Sequence, residues 1–154
     1  TLSTIDQTLI TNISQRRKQR REFLIMIADD DQLSRTLAGN VLRQDYNLVF
    51  ANNGQNALIE FVNNAPDVLF LDIGMPDMNG HEVLENLFQI DPNAYIIMFS
   101  GRKDQGNIMR ALDAGAQGFL GKPFTRAELY QHVEKSPFIQ GKKTKGAHSR
   151  QVNS

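Results

Sequence analysis

Two rhythms of apolar residues alternate along the chain. Short apolar runs stand at Phe23–Ala28, Tyr46–Ala51, 67–72, Ala94–Phe99 and around 117–121, each bounded by turn residues. Runs of that kind predict strands buried on both faces, as in parallel sheets. Between them the apolar residues return at three- and four-residue steps, which predicts helices. Leu33, Leu37, Val41 and Leu42 mark the first; Ala57, Leu58, Phe61 and Val62 the second; Val83, Leu84, Leu87 and Phe88 the third. Ile108, Met109, Ala111 and Leu112 mark the fourth, which stops at Gly115, and a fifth runs from about Thr125 to Lys135. Pro66 and Asp91-Pro92-Asn93 punctuate the pattern. Five strand–helix pairs predict an α/β fold, a doubly wound five-stranded parallel sheet, (βα)5.

Both ends depart from this rhythm. Residues 1–22 are expected to form a helical N-terminal extension or linker, with Ser3 capping and a stripe of Leu2, Ile5, Leu9 and Ile13. The run Arg16-Arg17-Lys18-Gln19-Arg20-Arg21 then reads as a solvated helical face, with pairing to a partner or second copy as the alternative. Residues 137–154 lose the periodicity and carry Lys142, Lys143, Lys145 and Arg150 with no acid, the composition of a disordered basic tail. The domain itself is expected over 23–136.

The net charge of +0 conceals a segregation, because the middle holds fifteen acids against eight bases while both ends are basic. An acidic body does not suit a polyanion, and no aromatic or recognition motif accompanies the basic run, so no nucleic-acid contact is expected. With Cys 0 there is neither a disulfide framework nor a thiolate metal site. No apolar run approaches membrane-spanning length, so no membrane partner is expected and the cytoplasm is the expected location.

The predicted strand ends carry the candidate chemistry. The first ends in Asp29-Asp30-Asp31, the third in Asp72, the fourth in Ser100 and the fifth in Lys122. A helix cap accounts for one acid, not for a pair followed by a third. Carboxylates gathered at one place repel and stay ionised only around a cation or a lysine. An all-oxygen set without histidine points to Mg²⁺, and Lys122 and Ser100 supply a point charge and a hydroxyl for phosphoryl oxygens. Those parts describe phosphoryl transfer onto Asp72.

Four segments together resemble the receiver domains of two-component response regulators over about 23–136. They are Leu24-Ile25-Met26-Ile27-Ala28-Asp29-Asp30-Asp31, Leu71-Asp72-Ile73-Gly74-Met75-Pro76-Asp77-Met78-Asn79-Gly80, Ile96-Ile97-Met98-Phe99-Ser100-Gly101 and Ala114-Gly115-Ala116-Gln117-Gly118-Phe119-Leu120-Gly121-Lys122-Pro123-Phe124. The resemblance implies a flavodoxin-like fold, with Asp72 as phosphoacceptor and Lys122 and Ser100 binding the phosphoryl group. It also implies Mg²⁺ held by Asp29, Asp30, Asp72 and the Gly74 backbone carbonyl, with Ser100 and Phe119 as switch residues and a cis Lys122–Pro123 bond. Gly74 stands where the family often has a larger side chain, which opens the site.

The implied function is a phosphorelay receiver that takes a phosphoryl group from a histidine kinase or phosphotransfer protein. It would signal to a downstream protein or a second copy through the fourth helix, fifth strand and fifth helix, around Met109, Phe119 and Glu128. Beyond self-phosphorylation and slow self-dephosphorylation, no enzyme activity is expected. An Asp-nucleophile phosphohydrolase would need a second acid two residues after Asp72, where Gly74 stands. A flavin carrier would need a phosphate-cradling loop where this chain has three Asp. A receiver-like binding module that is never phosphorylated would be expected to have lost part of the acid set, Ser100 or Lys122.

Overall fold

The computed structural model describes residues 6–101 and 105–144. Five parallel strands, β1 (Leu24–Ala28), β2 (Asn47–Ala51), β3 (Val68–Asp72), β4 (Ile96–Ser100) and β5 (Gly118–Gly121), form one sheet in the order β2-β1-β3-β4-β5. Side chains of a strand alternate between faces, so a sheet covered on both sides needs apolar residues at every position. Met26, Leu69, Leu71 and Met98 face one core, and Ile25, Ile27, Phe70, Ile97 and Phe99 face the other.

Helices α3 (Gln32–Leu42) and α7 (Arg126–Glu134) cover the second face; α4 (Gly54–Asn64), α5 (Gly80–Ile90) and α6 (Gln105–Asp113) cover the first. Ala57, Leu58, Phe61 and Val62 of α4, and Val83, Leu84 and Leu87 of α5, are buried as their spacing predicts. Helix α3 differs. Leu33 and Leu37 stand 63% and 51% exposed, while Ser34, Ala38, Gly39 and Leu42 face inward. At Gly39 a side chain would crowd β2, since a Cβ there would come within 2.9 Å of the Phe50 ring. On α6, likewise, Ala111 is buried and Met109 and Leu112 are exposed.

The described parts of both flanking segments pack against the domain, the first helical as expected and the second helical against expectation. Two short helices, α1 (Gln7–Thr11) and α2 (Ile13–Gln19), precede the sheet. Asp6 caps α1, accepting from Thr8 N; Leu2, Ser3 and Ile5 lie outside the described residues. The basic run is solvated only in part: Lys18, Gln19 and Arg21 are exposed, while Arg16, Arg17 and Arg20 turn inward. An α-helix ends with unpaired carbonyls and a partial negative charge, and this run supplies donors to that end of α4. Arg16 donates to Val62 O and Asn63 O, and Arg20 to Asn64 O and Ala65 O. Arg17 is buried: it pairs with Asp91, donates from Nε to Pro66 O at 2.9 Å and lies 4.4 Å from the centre of the Phe138 ring.

Residues 137–144, expected to lack structure, are helical (α8). The reason is burial: Ile139 enters the core beside Val133, and the Lys142 ammonium reaches the Asp67 carboxylate at 2.9 Å. Residues 145–154 lie outside the described residues. No described helix is long and apolar enough to cross a membrane.

Candidate functional site

In an open sheet of this order, the strand order reverses between β1 and β3, and the crevice beyond their carboxyl ends is the natural ligand position. β1 delivers Asp29 and Asp30 there, and β3 delivers Asp72. The three side chains each offer an oxygen, and these oxygens lie within 4.8 Å of one another. Asp29 is buried, Asp72 nearly so, and Asp30 exposed.

The neighbouring strand ends add the rest. Phe99 pairs in register with Asp72, which places Ser100 one residue beyond it, buried and opposite Gly121. Lys122 follows at once; its N–H donates to Ser100 O at 2.9 Å, and its ammonium meets Asp29 Oδ2 at 2.5 Å. The Lys122–Pro123 bond is cis. Phe119, on β5, is half-buried against the core under α6. Gly74 follows in the loop after β3, its N–H 3.3 Å from Asp72 Oδ1, with open space where a side chain would stand.

The local sequence builds this arrangement. Asp31 is the helix cap among the three consecutive acids, accepting from Leu33 N and Ser34 Oγ, which leaves Asp29 and Asp30 for the site. Asp29 is steadied by Asp31 N on Oδ1 and by Arg35, which donates to its backbone carbonyl at 2.7 Å. Gly80, at the start of α5, packs so closely that a Cβ would lie 2.6 Å from Ile73 Cα and 2.9 Å from Asp72 O. Asp77 accepts from Gly54 N and Gln55 N, tying the loop after Asp72 to the first turn of α4. Sequence reasoning missed Arg35 and Asp77 as supports, because their partners are backbone groups that no side-chain motif signals.

Burial, and then the charge of Asp29, push the Asp72 carboxyl up to about 6; Lys122 and the Gly74 N–H act in the opposite sense. Three carboxylates with one ammonium leave a site short of positive charge. Hard oxygen donors in that state suit a small divalent cation. The residues therefore fit Mg²⁺.

The family model described as the response regulator receiver domain matches residues 25–134. This chain belongs to that family. It is a receiver domain of two-component signal transduction, and receivers of this type are signalling modules rather than conventional enzymes. It is 35% identical over 114 residues to the chemotaxis protein CheY of Listeria monocytogenes, covering 73% of this chain and 96% of the relative. It is 38% identical over 107 residues to the transcriptional regulatory protein KdpE of Mycobacterium tuberculosis, covering 70% of this chain but only 47% of KdpE. Among solved structures, a CheX–CheY complex with BeF3 and Mg²⁺ from Borrelia burgdorferi superposes with a TM-score of 0.69. That match has 31% identity and covers 72% of this chain and 86% of the other. A CheY-like receiver from Methanospirillum hungatei gives 0.73 at 25% identity, covering 80% and 98%.

Proposed function

We propose that this receiver accepts a phosphoryl group on Asp72 from a histidine kinase or phosphotransfer protein in the cytoplasm, and that the transfer reshapes a protein-binding face. The observation that carries this is the meeting of Asp29, Asp30, Asp72 and Lys122 at adjoining strand ends, with Ser100 alongside. Asp29, Asp30, Asp72 and the Gly74 carbonyl would hold Mg²⁺, which when bound neutralises charge on the phosphoryl oxygens.

The Asp72 carboxylate attacks phosphorus in line with the donor's leaving group. One Asp72 O–P bond forms as the donor's bond to phosphorus breaks, and the leaving group takes the electron pair. Lys122 exchanges Asp29 for a phosphoryl oxygen, and the Ser100 hydroxyl donates to another. With Gly74 two residues after Asp72, no acid stands there to speed hydrolysis, which favours a receiver over a phosphohydrolase.

The phosphoryl group adds about −1.5 to −2 charge and three acceptor oxygens. Ser100 turning toward one of them vacates space beside Phe119, which moves inward, since packed interiors do not keep such voids. The affected face is that of α6, β5 and α7, where Met109 stands 55% exposed and Glu128 lies nearby on α7; a downstream protein or a second copy docks there.

Acetyl phosphate with Mg²⁺ should give a phosphoryl adduct that mass spectrometry places on Asp72 and that Asp72→Asn lacks. Retained labelling in that variant overturns the assignment. For the switch, beryllofluoride with Mg²⁺ should move NMR resonances of α6 and β5, and Ser100→Ala should bind the mimic but show smaller shifts. Resonances that stay put in the wild type rule the switch out.

A further inference from the structure

The end of the sheet away from Asp72 is closed by three helices that lie outside the matched residues 25–134: α1, α2 and α8. Their charges converge. Arg17 pairs with Asp91, while Arg20 and Lys142 share the single carboxylate of Asp67 at 3.1 and 2.9 Å. Three cations thus meet two acids, and all these side chains are buried or nearly so. Some donors are left over. Among the described residues, Arg17 Nη1 and Arg16 Nε are buried without a hydrogen-bond acceptor. Buried groups of that kind are rare and call for a partner.

A cavity of about 200 Å³ opens between α2 and α8, lined by Arg17, Lys18, Pro137, Phe138, Gly141 and Lys142. Three of these six residues are cationic and none is acidic. Lys18 has no ion-pair partner among the described residues, and Pro137 and Phe138 give the cavity an apolar wall. Burial holds the Lys142 ammonium below its usual range; Asp67 opposes the shift, and Arg20 and Arg17 add to it. The volume lies under the roughly 300–1,000 Å³ of ordinary drug-sized pockets, so a nucleotide does not fit.

We propose that this cavity binds a small organic anion, a carboxylate or phosphate ester on a short apolar body, whose charge is met by Arg17, Lys18 and Lys142. A ligand held there touches α2 and α8 together. It therefore stabilises the packing of α2 against α8, by an amount set by its concentration relative to its dissociation constant. The site needs neither Mg²⁺ nor the phosphoryl chemistry at Asp72.

The test uses the full chain in EDTA, which keeps Mg²⁺ from the Asp72 site, with benzoate and phenyl phosphate as probes and benzamide as the neutral counterpart of benzoate. Both anions should shift NMR resonances of residues 16–20 and 137–142 and raise the melting temperature. Benzamide should do neither. Lys18→Gln, an exposed position that leaves the fold intact, should weaken benzoate by about two- to fivefold, and Lys142→Met should weaken it further. Equal binding of benzamide overturns the proposal, as does an unchanged affinity in Lys18→Gln. So do shifts confined to Asp29, Asp72 and Lys122, or an absence of shifts at saturating probe, which would leave water as the partner of the spare donors.

Discussion

At the carboxyl ends of the strands three carboxylates share one ammonium, whereas at the amino ends three cations share two carboxylates. The first group is partly open to solvent and its members come from adjoining strand ends. The second is closed over by helices, and most of its side chains are buried. Surplus negative charge beside open space suits a transient ligand that arrives with a metal. A buried, nearly matched set mainly serves to hold the chain together. The same residue types thus do different work according to their balance and their access to water.

That contrast can be broken at either end. The largest expected effect is at the buried pair. Asp91→Ala leaves the Arg17 guanidinium without its carboxylate and should cost about 3–5 kcal/mol in urea unfolding, while acetyl phosphate labelling of the folded fraction stays within about twofold. A large loss of labelling there would mean the two ends are coupled. Lys122→Met should do the reverse, slowing labelling by about 100-fold, roughly 2.7 kcal/mol, with a smaller change in stability.

The third effect depends on pH. The Asp72 carboxyl titrates higher in the folded protein than in the unfolded chain, near 6 against 3.8. Between those values the folded state holds the extra proton, so the stability of the metal-free protein falls as pH rises through that window. Asp72→Asn should therefore raise metal-free stability by about 1–2 kcal/mol at pH 7 and by nothing below about pH 3.5. A gain that is the same at both pH values would show that charge at Asp72 is not the cause. The smallest effect belongs to a position in neither cluster. Thr125→Ala removes one half of the α7 capping box and should cost about 1 kcal/mol, leaving labelling unchanged.

The strands and the acid set were legible because each rests on a local pattern. Five apolar runs end in polar residues, and a parallel sheet brings all those ends to one edge. The buried faces of α3 and α6 were not legible from their large residues. Leu33, Leu37, Met109 and Leu112 keep helical spacing but point outward; the inner positions go to Ser34, Ala38, Gly39 and Leu42 on α3, with Gly39 against Phe50, and to Ala111 on α6. The amino-end cluster was less legible still. Arg17 and Lys142 sit on helices outside the strand–helix repeat, so no strand end announces their pairing with Asp91 and Asp67. In the sequence, Arg16 to Arg21 showed only a run of charge. Its role as the cap of α4 depends on carbonyls that every sequence carries.

Helix α4 is held at both poles by groups from elsewhere: the Asp77 carboxylate on its first amides, Arg16 and Arg20 on its last carbonyls. Each charge matches the sign its pole prefers. The helix thereby becomes a tie-bar about 16 Å long, bolted at one end to the loop that follows Asp72 and at the other to the segment that precedes the sheet. A displacement starting at Asp72 would therefore have to move a helix fastened at both ends on that side.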